Sequence, residues 1–418
     1  MKKSGLFLLA LLSTISICSH KASGAENVPF IDPTPGEISI VASTPIPADQ
    51  KPSREAFETL IDCGFNMGME TNSFFYFKNI FEILGDLKFK YLINNPDLLN
   101  DNRVKFIDQF SRNKHFAGWK VSDEPRYDGL DNLAKQFKAL HTADPKALIY
   151  MNLIGSNIKV FTGNSKNFSE YIQLIQKKFM PGIWSYDLYP FLEKNGKVSA
   201  SLPTFYSDLE IFKNISQKTS RPFWTYVQTM AYKAGTLKRP ATTEAYLRFA
   251  VFTSLAYGAQ GIVYWTYGQR ASNKNETYYS ALVNLKGEKY PAWSIAKKVN
   301  GEIKKFNNVF YNCKVKQVKH TGNVIYDGTT KLTGVFGPFT RIGTGTAGAT
   351  VSEIINGKNT YIVIVSHDAF ASQKLTLNLD RGRKVTNLTD TKQTQYSAPR
   401  QIDLTLDKGG YLIFRVDE

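Results

Sequence analysis

Eight times between residues 37 and 312, a short β-branched or aromatic run gives way to a stretch with apolar residues three and four apart. The runs are EISIVAS (37–43), FNMGMET (65–71), FKYLINN (89–95), FAGWKVS (116–122), ALIYMNL (147–153), GIWSYDLYP (182–190), PFWTYVQT (222–229) and GIVYWTYG (261–268). REAFETLIDCG (54–64), NRVKFIDQFSRN (102–113), NFSEYIQLIQKKF (167–179) and TEAYLRFAVFTSLAYG (243–258) show the intervening helical period. Strand and helix in alternation imply a parallel sheet with helical crossovers. Eight units in this length predict a (β/α)8 TIM barrel. The rival, a doubly wound open sheet, lacks its glycine-rich fingerprint after the first strand. YPAWSIAKKVNGEIKKFNNVF (290–310) closes the ring, so the barrel is placed at 26–312. Beyond it the texture changes to NTYIVIVS (359–366), KLTLNL (374–379), QIDLTL (401–406) and YLIFRV (411–416), separated by Gly, Asn and Asp turns. That pattern predicts an all-β sandwich over 313–418.

The first residues obey a different logic. Lys2 and Lys3 precede an apolar run from Gly5 to Cys18, and Ser23-Gly24-Ala25 offers small residues for cleavage before Glu26. This predicts a secretory signal peptide over 1–25 and a mature chain that is secreted or periplasmic. A lipid-modified Cys18, giving an outer-membrane lipoprotein, is the disfavoured alternative because Ile17 is bulky for the position before such a cysteine. No later segment is apolar enough for a stable membrane span. The mature chain carries 49 basic residues against 36 acidic, a net charge of +13. The excess is spread along the chain and forms no basic tail, so no nucleic-acid partner is expected. His115, His141, His320 and His367 are scattered, so no metal is expected, and no cofactor is implied. Cys63 and Cys313 remain after cleavage; two unpaired thiols are expected, with one disulfide as the alternative in an oxidising compartment. Oligomeric state is not encoded in any feature of the sequence.

A barrel of this kind works at the C-terminal ends of its strands. Glu70 ends strand two, Asp123 and Glu124 end strand four, and Asn152 ends strand five. Tyr186, Asp187 and Tyr189 lie on strand six, Gln228 ends strand seven, and Trp265 and Tyr267 lie on strand eight. Pro125 donates no backbone hydrogen bond and disfavours helical geometry before it, so Glu124 is expected to be extended, at the last position of its strand. Acids also suit the start of a helix, and Asp128 fits that role better. The ring is acid, amide and aromatic. It suits a sugar, with apolar ring faces and a belt of hydroxyls, and glycoside cleavage needs a carboxylic acid plus a group that stabilises an oxocarbenium-like centre.

The stretches GWKVSDEP, WSYDLYP, PFWTYVQ, LAYGAQGIVYWTYG and LKGEKYPAWSIAKKVNGEI resemble those of (β/α)8 glycoside hydrolases related to the β-galactosidase and cellulase clan, above all secreted Bacteroidetes-type members. The likeness covers the barrel, about two-thirds of the chain. It implies a carbohydrate substrate and an acid/base Glu at the end of strand four, usually after Asn and before Pro. Glu124 matches, with Asp123 in place of the Asn. The resemblance also implies a nucleophilic Glu at the end of strand seven, where this chain has Gln228, and an amide forms no glycosyl ester. Three readings remain open. Asp187 takes over as the second carboxylate, with Asn152 and Gln228 orienting hydroxyls and Trp265 stacking on a sugar. The acetamido group of an N-acetylhexosamine substrate attacks instead, as in chitinase-like barrels. Or hydrolysis is lost and the barrel only binds glycan.

Overall fold

Eight parallel strands close on themselves in chain order, strand eight pairing back to strand one. They are strand one (Ser39–Ser43), two (Met67–Thr71), three (Lys90–Asn94), four (Phe116–Asp123), five (Ile149–Ile154), six (Trp184–Asp187), seven (Phe223–Gln228) and eight (Gly261–Trp265). The computed structural model describes residues 30–157, 168–179 and 181–417. The expected signal peptide and Cys18 lie outside the described residues.

Alternation along the strands builds two layers. Met67, Met69, Leu92, Tyr150, Trp224 and Val263 fill the barrel interior, while their sequence neighbours pack under the helices. Gly261 is needed for this filling, because a Cβ there would stand 2.5 Å from the Trp224 ring. The outer helices start on side-chain caps. Ser53 Oγ accepts from the Ala56 amide at 3.2 Å, and Thr243 Oγ1 accepts from the Tyr246 amide at 3.2 Å, each worth roughly 1 kcal/mol.

Strand four is irregular, and this matters for the site. Its pairing with strand three slips between Tyr91 and Leu92, and its pairing with strand five slips between Lys120 and Ser122. Each slip is a β-bulge that inserts one residue and reverses the alternation beyond it. Gly118 enables the first: its φ is +147°, and a Cβ would sit 2.5 Å from the Leu148 carbonyl oxygen. The second puts Lys120 beside Tyr150 and Asp123 beside Asn152. The strand ends at Asp123, and Glu124 follows at φ +48°. The expected extended conformation of Glu124 is therefore corrected: the bulge brings Asp123 inward one residue early, and a left-handed turn re-aims Glu124.

Loops after strands six to eight carry structure that the sequence pattern does not announce. Phe191–Lys194 and Lys197–Ala200 form a hairpin, and Ala231–Ala234, Leu237–Arg239 and Glu276–Ser280 form a three-stranded sheet. Beyond the barrel, a six-stranded sheet faces a three-stranded one, both antiparallel, around Phe339, Val351, Ile362, Leu377 and Phe414. This is the predicted C-terminal sandwich. The barrel helix Glu244–Ala256 is buried on nearly all sides, as expected for a helix covered on two faces. Phe252 on that helix stacks on Tyr411 of the sandwich, centroids 3.5 Å apart. Arg248 forks onto both carboxylate oxygens of Glu302 at 2.9 and 2.6 Å, and Tyr411 Oη donates to the same carboxylate at 3.2 Å. Cys63 and Cys313 are free thiols. Among the described residues no helix is long and apolar enough to cross a membrane.

Candidate active site

Two carboxyl groups meet at the C-terminal mouth. Asp187, on the inward face at the tip of strand six, and Glu124, on the turn after strand four, hydrogen-bond each other through their side chains. Asn152 Nδ2 donates to Asp187 Oδ1 at 2.8 Å, and Ser185 Oγ donates to Asn152 Oδ1 at 3.1 Å. The turn carrying Glu124 is pinned twice. Its amide donates to the Asn152 carbonyl at 2.9 Å, and Tyr171 Oη donates to the Pro125 carbonyl at 2.6 Å. A non-glycine residue at positive φ costs on the order of 1–3 kcal/mol and persists only where its surroundings over-determine it.

Charge is concentrated here. Lys120 points into the barrel, its side chain only 9% exposed, and its Nζ lies 3.3 Å from Asp123 Oδ2; the Asp123 side chain is 59% exposed to the open mouth. Burial, then the Asp123 charge, raises the Glu124 carboxyl above its ordinary value, against the pull of the Asp187 hydrogen bond and Lys120. Asp187 is pushed well above the usual carboxylate range, by burial first and then by the Glu124 and Asp123 charges. Both carboxyls are thus raised, and in hydrogen-bond contact they share one proton. A pair in hydrogen-bond contact is closer than the roughly 5–5.5 Å of retaining or 6.5–9.5 Å of inverting glycosidases.

Aromatic rings wall this mouth. Tyr189 stacks on Trp265 with centroids 5.7 Å apart, and Tyr232 meets the Trp265 ring edge-on at 5.0 Å. Below them Tyr150 Oη lies within hydrogen-bond distance of Ser185 Oγ (2.6 Å) and Tyr226 Oη (3.3 Å). Arg239 donates to the carbonyls of Tyr189 and Phe191, holding the loop after strand six.

Of the residues singled out from sequence, Asp123, Glu124, Asn152, Asp187, Tyr189 and Trp265 come together. Others do not. Tyr186 faces outward and stacks on Phe212, centroids 3.9 Å and planes 3° apart. Tyr267 lies in the outer layer, edge-on to Phe65 at 5.5 Å. Glu70 turns away from Met69 and accepts hydrogen bonds from Tyr76 and Tyr91. Gln228 commits its amide donors to the carbonyls of Met230 (3.2 Å) and Pro240 (2.8 Å), leaving a buried Oε1 without a partner among the described residues. Strict alternation explains Tyr186, since neighbours on a strand cannot both face in. Lys120, Tyr150, Tyr226, Tyr171 and Tyr232 join the site without having been picked out. Lys120 alone carried a signal, as a charge inside an otherwise apolar strand. Trp184 and Trp224 are fully buried core.

A cavity of about 830 Å³ opens at the opposite end, against Ser39, Phe223 and Cys313. The barrel bottom is the stabilising rather than the reacting face. Among the described residues, no group of three or more His, Cys, Asp or Glu is arranged to hold a metal ion.

Residues 128–306 match the family model described as β-galactosidase. Among solved structures, the chain is similar to a β-galactosidase from Bacillus circulans sp. alkalophilus at 9% identity and a TM-score of 0.61, covering 91% of this chain and 99% of that one. A GH42 β-galactosidase from G. stearothermophilus matches at 8% identity and a TM-score of 0.61, covering 94% and 100%. A family 5 glycoside hydrolase from Bacteroides vulgatus matches at 10% identity and a TM-score of 0.55, covering 91% and 89%. No curated protein matches. These structural likenesses establish the shared fold, and the family-model match adds support for glycosidic bond cleavage in general. By its barrel, its trailing sandwich and its match over 128–306, the chain resembles the (β/α)8 glycoside hydrolases of the β-galactosidase clan.

Proposed function

We propose that the protein hydrolyses an O-glycosidic bond of an oligo- or polysaccharide, with Glu124 as general acid and Asp187 as the second carboxylate. The observation that carries this reading is the hydrogen-bonded Glu124–Asp187 pair at the barrel mouth. Hydrolysis through an acid and a base needs one carboxylic acid and one carboxylate. Two carboxyls sharing one proton hold that complement. As a glycosidic oxygen enters, it parts the pair, and the shared proton goes with Glu124, the member nearer the cleft edge. Glu124 then protonates the leaving oxygen. Asp187, now ionised, stabilises the oxocarbenium-like centre and takes a proton from the attacking water, which restores one proton to the pair. Asn152 orients Asp187, Lys120 pairs with Asp123 beside the two carboxyls, and Trp265 with Tyr189 offers a face on which a sugar ring stacks. Gln228, where the clan has its nucleophile, is spoken for by its own loop.

Turnover of p-nitrophenyl β-galactoside and of arrayed oligosaccharides tests this. Glu124→Gln and Asp187→Asn are each expected to lose roughly 10²–10⁴ in kcat while glycan binding persists. Unchanged turnover in Glu124→Gln would overturn the assignment. Glycan binding by the wild type without turnover would leave a binding barrel.

A further inference from the structure

A loop of the sandwich reaches the barrel mouth. Asp368 Oδ1 accepts from the amides of Phe370 (2.7 Å) and Ala371 (3.0 Å), a tight turn that carries the Phe370 ring. A second turn, at Gly409, packs on the start of the helix Glu244–Ala256 so closely that a Cβ there would stand 2.1 Å from the Ala245 carbonyl oxygen. The Gly409 amide donates to the Asp368 carbonyl at 2.7 Å, which seats the two turns together. Phe370 meets Phe191 edge-on at 6.2 Å and Tyr246 at 5.7 Å, and it remains 47% exposed.

Phe191 is where this contact bears on the site. Its buried ring is stacked on Tyr246 at 4.3 Å and meets Phe249 at 5.7 Å, with Phe370 as the third neighbour. The carbonyls of Phe191 and Tyr189 both accept from a single nitrogen of Arg239, Nη1. Only Pro190 separates the two residues, and its locked φ passes a displacement of Phe191 on to Tyr189. Arg239 is buried, lies 5.7 Å from the Tyr189 ring and stands opposite Tyr232 in the antiparallel register. Trp265 touches both tyrosines. The two halves of this wall are held differently. Gln228 donates to the carbonyls of Met230 and Pro240, which ties the Tyr232–Arg239 hairpin to the tip of strand seven. Tyr189 is held through Arg239 and Phe191, and Phe191 partly through the sandwich.

We propose that Phe370 of the sandwich is a positioning residue for the reaction at the mouth. Through Phe191 and Arg239 it fixes the stack of Tyr189 on Trp265, and so the face presented to a sugar ring. Its kinetic consequence rests on the hydrolase reading above; its geometric consequence does not. Phe370 acts on the wall and not on the carboxyl pair, so substrate binding bears the effect and the chemical step does not.

The test uses the full chain and p-nitrophenyl β-galactoside. Phe370→Ala, at a half-exposed position that tolerates truncation, should raise KM about fivefold with kcat within about twofold of wild type. Phe370→Tyr keeps the ring and should restore KM. Tyr411→Leu controls for a merely structural role. It breaks the stack on Phe252, further along the same helix and away from the mouth, so it should lower the thermal midpoint and leave KM unchanged. A second readout is independent of turnover. Of the five tryptophans, Trp119, Trp184, Trp224 and Trp293 are buried and Trp265 is half-buried, so acrylamide quenching of fluorescence reads Trp265 above all. Quenching should be steeper in Phe370→Ala than in wild type or Phe370→Tyr. An unmoved KM in Phe370→Ala, or an equal rise in Tyr411→Leu, overturns the proposal. If the wild type turns over no aryl galactoside, the hydrolase reading fails by itself. Quenching then decides: a steeper slope in Phe370→Ala supports the positioning role, and an unchanged slope overturns it.

Discussion

Lys120 is a cation placed where a barrel ordinarily packs apolar side chains. Its Nζ stands 3.3 Å from Asp123, and its charge opposes the rise of the Glu124 carboxyl. Three carboxyls crowd this mouth, and without a positive charge beneath them their mutual repulsion would favour taking up a second proton. Lys120→Met keeps most of the side chain's apolar length and removes its charge. Because Lys120 favours the ionised form of Glu124, its loss raises that pKa. The pH profile of kcat/KM should therefore move to higher pH by about one unit. An unmoved profile would show that Lys120 acts on Asp123 alone.

At the level of strands, the two bulges in strand four decide which acids face the mouth. The bend at Gly118 is incompatible with a side chain, because φ +147° and the Leu148 carbonyl both exclude one. Gly118→Ala should destabilise the protein by about 2–3 kcal/mol, read from denaturant midpoints. It should also lower kcat in whatever fraction folds. Gly129→Ala, where a new Cβ meets nothing within 4 Å, is the matched control and should shift stability by less than about 0.5 kcal/mol. These bulges also mark where the sequence stopped being legible. Hydrophobic period located all eight barrel strands and the sandwich, because that period is the packing of the core itself. It also put Glu124 and Asp187, the acids that meet at the mouth, at strand tips. Bulges leave no periodic trace, so the inward turn of Asp123 and the left-handed Glu124 were not readable. Tyr186, Tyr267 and Gln228 are misplaced for a related reason: a strand tip named in sequence does not say which face its side chain takes.

Across the whole molecule, the junction between barrel and sandwich contains a pair of buried histidines. His320 Nδ1 lies 3.1 Å from His367 Nε2, and His320 Nε2 lies 2.7 Å from Tyr257 Oη on the barrel side. Burial lowers His320 to about 2 and His367 to about 4, so both are neutral in the fold. Their folded values lie below the unfolded value of about 6.5. The stability they carry is therefore complete above that pH and is lost as pH falls through it toward the folded values. Thermal unfolding should weaken below about pH 6.5, by up to about 1.4 kcal/mol per histidine per pH unit. His367→Gln should flatten that acid limb; an equally steep limb in this variant would place the titration elsewhere. The helix Glu244–Ala256 gives the same junction a mechanical meaning. One of its faces belongs to the barrel wall and another to the sandwich, with Phe252 seated on Tyr411. The sandwich is thus a brace and not a pendant. A load that peeled it away would strip the cover from a barrel helix, so a chain cut after residue 312 would leave the Phe252 face of that helix bare.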